Sequence, residues 1–197
     1  MLPRIDPTPV TDDAPADWLR ERLQFGRKVR QWVPDSLDAY ARILHPRRED
    51  GGERRTGWLP RPEIDHLTEH LAAATGTPDA LWMLVWNGWG VHALEALGHR
   101  ELDVSTSLTT SGRRYFICRA ALEEAEEGDD GDPAFEEAPA FWWPQDRAWF
   151  ACTDIDLPCT YVGGPAPLIR DILGDPRLES FPAALDDPLG GDPAPAP

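Results

Sequence analysis

The sequence has very little lysine and a large excess of acid. Only Lys28 is a lysine among 19 basic residues, and 35 acidic residues leave a formal net charge of −16 over 197 residues. A general nucleic-acid-binding protein needs a basic face that neutralises phosphates, and an anionic membrane surface attracts basic segments in the same way. We therefore expect neither nucleic acid nor a membrane as a partner.

A long hydrophobic run is also missing. The longest run, at residues 80–86, has seven residues, whereas a membrane-spanning helix needs roughly 20. The first residues show neither the basic end nor the apolar stretch of a signal peptide. These absences predict a cytoplasmic location.

Cysteine is scarce, with three residues and no C-x-x-C pair. This spacing argues against a disulfide framework and against a cysteine zinc site. Sequence motifs of phosphate-binding loops and of catalytic serines are absent too, and Gly163-Gly164 before a predicted helix is better explained as a tight turn. We therefore expect no cofactor, and the sequence favours a non-enzymatic protein.

Tryptophan, by contrast, is abundant, with nine residues. Each indole ring can bury on the order of 200 Å², so we expect most of them in a compact aromatic core, with Trp82 and Trp86 on one face of a strand. Trp58 and Trp89 lie beside glycine and proline in predicted loops. They are the candidates for exposed contacts with a ligand or partner, because exposed indole rings also form stacking platforms for sugars, bases or proteins.

Proline, glycine and charge divide the chain into segments. Residues 1–14 are predicted to be a flexible N-terminal arm, 15–184 a single globular domain, and 185–197 a disordered tail rich in proline, glycine and aspartate. Within the domain, residues 123–137 contain nine acids and no base. Such a segment is typical of a solvated acidic surface loop.

The pattern of elements predicts an α+β fold. Helices are expected at 63–75 and around 168–173. The run at 37–44 fits a helix as well as a strand, because periodicity cannot distinguish the two there. Connections between the late strands are too short for crossover helices, which favours a single domain with an antiparallel or mixed sheet packed by two to four helices. Strands are expected at 80–86, 114–119, 141–143, 148–155 and 160–162.

His66 and His70 lie four residues apart on the predicted helix at 63–75, a spacing that directs two imidazole rings at one metal ion. The H-E-x-x-H pattern of zinc proteases is absent, because the segment reads His-Leu-Thr-Glu-His. This face lies opposite the apolar stripe of the helix, so we also expect it to point to solvent. The two histidines are therefore weak candidate metal ligands.

Asp154 and Asp156 alternate on a predicted strand, so both carboxylates are expected to project to one side. Paired carboxylates in that position hold a divalent cation or act as acid and base. Strand-edge carboxylates that face water explain the same pattern. With Tyr161 nearby, these residues are the first candidates for a ligand or partner contact.

The segment at 141–178 contains W-P-Q-D-R-A-W, T-D-I-D, T-Y-V-G-G and D-P-R-L, and the middle of the chain contains L-W-M-L-V-W-N-G-W-G. In these features the chain resembles a group of bacterial proteins from GC-rich genomes to which no activity is assigned. The resemblance covers about half of the chain. It implies one compact family fold and a bacterial cytoplasmic protein, and it transfers no catalytic residue.

Charge, tryptophan content and the absence of catalytic motifs together favour a non-enzymatic protein-interaction module. An immunity-like or adaptor-like role toward a basic protein partner is the most concrete version. The alternative is a metal-assisted hydrolase or a small-ligand-binding protein that uses Asp154 and Asp156, or His66 and His70.

Overall fold

The computed structural model describes residues 2–6, 8–12, 14–20, 23, 26–89, 101–102, 114–123 and 139–190. These residues form nine strands in one sheet, three α-helices and short 3-10 turns. The strands are β1 (Leu2–Ile5), β2 (Ala39–Leu44), β3 (Leu81–Trp86), β4 (Glu101–Leu102), β5 (Tyr115–Glu123), β6 (Phe141–Pro144), β7 (Phe150–Cys152), β8 (Cys159–Gly164) and β9 (Ser180–Pro182). The helices are α1 (Asp17–Arg20), α2 (Arg61–Ala73) and α3 (Ala166–Gly174), and the 3-10 turns span Ala14–Ala16, Val29–Gln31 and Asn87–Trp89.

The sheet is antiparallel at every described strand pair. Its order is β1-β5-β3-β6-β7-β8-β2-β9, and β4 also pairs with β5. The predicted α+β class is confirmed, with the antiparallel form of the sheet. Strands β6, β7 and β8 follow one another through short connections that reverse the chain without room for a crossover helix.

The ambiguous run at 37–44 contains strand β2, which lies between β8 and β9. Its side chains alternate between the two faces of the sheet: Ala41 and Ile43 pack under the helices, and Tyr40 and Leu44 pack on the opposite face. A strand buried on both faces reads as a nearly continuous apolar run. Periodicity therefore could not separate it from a helix.

Helices α2 and α3 cover one face of the sheet. The predicted stripe of α2 is buried against it, with Ile64, Leu67 and Leu71 in the shared core. The start of α3 lies close to the end of β8, because a Cβ at Gly164 would lie only 2.8 Å from the Leu168 side chain. A residue larger than glycine at this position would force the Leu168 side chain to shift.

The opposite face carries a cluster of aromatic rings. Trp143 and Phe150 stack with ring centres 6.2 Å apart, and Trp18 of α1 meets both rings edge-on at 5.9 Å. Each such pair adds roughly 0.5–1.5 kcal/mol beyond the buried area. The expected buried aromatic cluster is confirmed, and the two tryptophans of β3 pack against it from one face of their strand.

The predicted flexible arm at 1–14 contains part of the fold. Strand β1 pairs with β5 and forms one edge of the sheet. The prolines of this segment predict flexibility, but an edge strand is the place in a sheet where proline is tolerated. The predicted arm is therefore corrected to begin with an ordered edge strand.

The predicted disordered tail is ordered as far as residue 190. Arg30 N donates to Leu185 O at 2.9 Å, and Leu189 N donates to Arg27 O at 2.9 Å. The proline, glycine and aspartate of the tail predict disorder from residue 185. Composition does not show that the backbone of this segment pairs with a distant part of the chain. The acidic loop predicted at 123–137 lies outside the described residues except for its first residue, and so does the end of the tail at 191–197. In the part of the chain that the structure describes, no helix has the length and hydrophobicity of a membrane span.

Two indole rings of the core differ in their hydrogen bonding, and this difference predicts different effects of substitution. Trp149 is fully buried and its Nε1 donates to Leu71 O at 2.9 Å, whereas the buried Nε1 of Trp18 has no hydrogen-bond partner among the described residues. Trp149→Phe should lower the free energy of unfolding by about 2–3 kcal/mol, because it removes a buried hydrogen bond and leaves a cavity.

Trp18→Phe is the matched control, because it removes the same ring atoms without breaking a hydrogen bond. Urea unfolding should show a loss of about 1 kcal/mol or less for this variant. Equal losses in the two variants would contradict the assigned role of the Trp149 hydrogen bond.

Candidate functional site

The two candidate carboxylates Asp154 and Asp156 do not form a pair on a strand. Strand β7 ends at Cys152, and Asp154 is fully buried while Asp156 is exposed. Asp156 N donates to Asp154 Oδ1 at 3.2 Å, and Tyr115 Oη donates to Asp154 Oδ2 at 3.4 Å. The expectation of two carboxylates projecting to one side is corrected, because Asp154 closes a turn by bonding to backbone two residues onward.

Tyr161 is also fully buried, on β8. Its hydroxyl donates to Gly190 O at 3.3 Å and accepts from Gly190 N at 3.3 Å, and Cys159 Sγ lies 3.4 Å from the same carbonyl. Burial raises the pKa of Tyr161 far above its usual range and raises the pKa of the Cys159 thiol to about 11. Both groups are therefore neutral at pH 7.

His70 is engaged in a cluster of charged side chains that joins α2 to the end of α3. Its Nε2 donates to Asp175 Oδ2 at 2.8 Å, and Arg177 bonds to both oxygens of Asp175 and to Glu69 Oε2 at 3.0 Å. The hydrogen bonds from Arg177, assisted by the one from His70, hold the pKa of Asp175 well below its usual range. The expectation that His70 faces solvent is corrected, because the chain after α3 packs beside α2.

His66 does not share this cluster. Its Nδ1 is buried without a hydrogen-bond partner among the described residues. Within the described ranges, no group of three or more histidine, cysteine, aspartate or glutamate side chains is arranged to hold a metal ion.

The two candidate loop tryptophans have separate positions. Trp58 is half-buried in the connection between β2 and α2, and the Arg55 guanidinium lies 4.8 Å from its ring centre. Trp89 ends the 3-10 turn Asn87–Trp89, and its side chain lies outside the described residues.

Sequence reasoning missed a buried chain of hydrogen bonds that begins at His45. His45 Nδ1 lies 3.1 Å from Arg55 O, His45 Nε2 lies 3.0 Å from Thr160 Oγ1, and Thr153 Oγ1 lies 2.9 Å from Thr160 Oγ1. A carbonyl can only accept, so Nδ1 carries the proton, Thr160 donates to Nε2, and Thr153 donates to Thr160. Burial lowers the pKa of His45 to about 4, so the ring is neutral at pH 7. No spacing in the sequence distinguishes this histidine.

The W-P-Q-D-R-A-W segment fastens the turn after β6 to the end of α2. Thr75 Oγ1 and Gly76 N each donate to the Asp146 carboxylate at 2.8 Å. Burial acts to raise the pKa of Asp146, but the hydrogen bonds from Ala148 N, Gly76 N and Thr75 outweigh it and hold this pKa below its ordinary value. The polar residue at the centre of this segment therefore stabilises the fold.

Two half-exposed tryptophans, each beside an exposed arginine, lie on the face that carries the aromatic cluster. Trp82 of β3 lies between Arg119 of β5 and Trp143 of β6, directly opposite each in the strand register. The Arg119 guanidinium is 5.2 Å from the ring centre of Trp82, and Trp82 Nε1 donates to Gln145 Oε1 at 3.0 Å. The ring is therefore fixed on both sides while part of it faces solvent.

The buried ring of Trp143 connects this group to a second pair. Trp18 meets Trp143 edge-on with ring centres 5.9 Å apart, and the Arg147 guanidinium lies 5.2 Å from the ring centre of Trp18. An arginine over an indole ring is attracted to it by about 0.5–1 kcal/mol at an exposed site. We name the set the tryptophan–arginine surface, and it consists of Trp18, Trp82, Arg119, Gln145 and Arg147.

Arg147 has a backbone conformation that residues with a side chain rarely adopt. Its φ is +57°, in the turn between β6 and β7, and among the described residues it is the only one besides glycine with a positive φ. The left-handed conformation costs about 1–2 kcal/mol for a residue other than glycine. An exposed arginine is thus held in place at this turn although glycine would relieve the strain, and such strain is typical of functional positions.

No protein-family model matches this chain, and the curated proteins and the solved structures likewise provide no match.

The neutral His45 predicts a pH dependence of stability. Its pKa is about 4 in the fold against 6.5 for an unperturbed histidine, so the unfolded chain binds the proton first as the pH falls. The free energy of unfolding should therefore decrease as the pH falls from 6.5 to 4, and His45 should account for up to roughly 3 kcal/mol of this decrease. Above pH 6.5, protonation of His45 should cause no loss of stability. Urea unfolding of the protein and of His45→Gln across this range should show a flatter profile for the variant. Parallel profiles would contradict the neutral, buried state of His45.

Proposed function

We propose that this protein is a cytoplasmic, non-enzymatic module that binds another protein through the tryptophan–arginine surface. The observation that carries the proposal is that two half-exposed indole rings, each with a guanidinium group 5.2 Å from its ring centre, lie on the same face of the sheet. Tryptophan and arginine dominate the binding energy of protein interfaces more often than other residues. An immunity-like or adaptor-like role fits such a surface.

The strained arginine supports the same surface independently of its composition. Arg147 contributes a guanidinium to the surface while its backbone conformation opposes folding. Backbone strain of this kind clusters at functional positions, so it favours a role for Arg147 in binding a partner.

The net charge of the whole chain favours a basic partner during the first encounter, while the two arginines of the surface itself would contact neutral or acidic groups of that partner. A chain with a formal charge of −16 attracts positively charged proteins over distances of about a Debye length, roughly 8–10 Å at physiological salt. Charge of this kind acts mainly on the association rate, whereas buried aromatic contacts act mainly on the dissociation rate. The two features therefore have separable effects on one complex.

The alternative, a metal-assisted hydrolase or small-ligand-binding protein, is less well supported by the geometry. Asp154 is enclosed in a turn with Tyr115, and His70 is bonded to Asp175. Neither candidate pair brings two free ligands to one point that solvent can reach. We therefore place the interaction module first.

Arg147→Gly tests the surface without unfolding the protein. The glycine relieves the left-handed strain while it increases the entropy of the unfolded chain, so the free energy of unfolding should stay within about 1 kcal/mol of the original value. The immobilised protein is used to capture a partner from a cell extract, and the partner is identified. The association and dissociation rates of this partner are then measured by surface plasmon resonance. We expect its dissociation rate to rise at least about tenfold in this variant and in Trp82→Ala.

Trp58→Ala provides the matched control, because it removes another half-buried indole with an arginine above it, Arg55, from a different part of the chain. Binding should be unchanged in this variant. Raising the salt concentration from about 50 mM to about 500 mM should lower the association rate of every variant, because salt screens the net charge. Loss of binding only with Trp58→Ala, or unchanged dissociation with both surface variants, would contradict the proposal.

A further inference from the structure

The segment at 183–190, which we name the C-terminal strap, lies on the sheet face opposite the helices and is held like a bound peptide. Val29 N donates to Asp187 O at 3.1 Å, and Arg30 N donates to Leu185 O at 2.9 Å. Two leucines of the strap pack against the aromatic core from above. Backbone pairing with apolar anchors is the arrangement by which extended peptides bind to proteins.

Adjacent carboxylates of the strap meet three basic side chains. Asp186 accepts from Lys28 Nζ at 3.1 Å and from Arg30 at 3.1 Å and 2.7 Å, and the Asp187 carboxylate lies 3.6 Å from Arg42 Nη2. Arg30 and Lys28 hold the pKa of Asp186 below its ordinary value. In a chain of such negative charge, this group of cations is a local site for anions.

Arg42 is the buried member of the site, and the strap does not provide acceptors for all of its hydrogen-bond donors. Its side chain is 10% exposed, and its Nε is buried without a hydrogen-bond partner among the described residues. The 3.6 Å separation from Asp187 exceeds hydrogen-bond length, and that carboxylate accepts from Ala184 N instead, at 3.0 Å. A carboxylate that reached both Nε and Nη2 of Arg42 would bind more strongly than the strap does.

The floor of the site offers further donors. Tyr161 lies opposite Arg42 in the register of β8 and β2, and its hydroxyl and the Cys159 thiol bond only weakly to Gly190, at 3.3 and 3.4 Å. A guanidinium, a phenol and a thiol all donate at neutral pH, so the surface beneath the strap accepts a ligand rich in carboxylate and carbonyl oxygens.

We infer that the strap occupies, within its own chain, a binding site for an acidic peptide centred on Arg42, and that opening of the strap admits a peptide with two adjacent carboxylates flanked by leucines. The strap itself, Leu185-Asp186-Asp187-Pro188-Leu189, shows the chemistry that the site recognises. The site is separate from the tryptophan–arginine surface, and neither proposal depends on the other.

The test uses the full chain and a fluorescent peptide with the sequence of residues 183–197. In the protein the strap competes with the peptide, so Asp186→Asn/Asp187→Asn should bind the peptide at least about tenfold more tightly than the original chain, as measured by anisotropy. A peptide with asparagine at both positions should bind neither protein. Equal affinity for the two proteins, or equal binding of the two peptides, would overturn the inference.

Asp79→Asn/Asp171→Asn is the matched control, because it removes the same charge from two exposed positions outside the strap, one before β3 and one on α3. It should leave peptide affinity unchanged. Adding Arg42→Met to Asp186→Asn/Asp187→Asn should abolish the tight binding. A gain in the control equal to that of the strap variant would overturn the inference, because it would assign the effect to net charge.

Hydrogen exchange of the unsubstituted protein provides a measurement that depends on no variant. The amides of Val29 and Arg30 should exchange at least about 100-fold faster than those of Ala41 and Val162 in the β2–β8 pair, because the strap opens without global unfolding. Exchange at one common rate would show that the strap leaves only when the whole domain unfolds, and would overturn the inference.

Discussion

Burial of the sheet on both faces is the constraint on which the rest of this structure depends. Helices cover one face, and the N-terminal segment and the C-terminal strap cover the other, so polar groups in the interior are out of contact with water and need partners within the protein. His45 bonds to a carbonyl and to Thr160, and Asp175 bonds to His70 and Arg177. An unpaired buried group of this kind would cost about 1–3 kcal/mol.

The same constraint explains why residues with catalytic character are occupied inside the fold. The aspartates of W-P-Q-D-R-A-W and D-P-R-L connect the C-terminal part of α2 to neighbouring segments. The threonines of T-D-I-D and T-Y-V-G-G continue the hydrogen bonds that begin at His45. Among the described residues, the groups that we propose for contact with a partner are the indole rings with arginines beside them and the Arg42 guanidinium beneath the strap.

The sequence predicted the elements that carry a local signal and missed the features that depend on register. Helix α2 and strand β3 were predictable, because an apolar stripe and a continuous apolar run are visible within a few residues. The burial of Asp154 was not, since it depends on β7 ending at Cys152. The tryptophan–arginine surface requires Trp82, Arg119 and Trp143 to meet across three strands that are distant in the chain. The strap was hidden by a composition that resembles disorder.

The pairing of β2 also affects how the protein is made. Ala41 is opposite Val162, which follows it by 121 residues. At a synthesis rate of roughly 5–20 residues per second, β2 waits about 6–24 seconds on the ribosome before its neighbour exists. During that time β2, which is buried on both faces in the folded protein, has neither its neighbouring strand β8 nor the layers that cover it. Because β2 stays unpaired until β8 has been synthesised, the sheet assembles late in the synthesis of the domain, and an unpaired apolar strand is prone to aggregate until then.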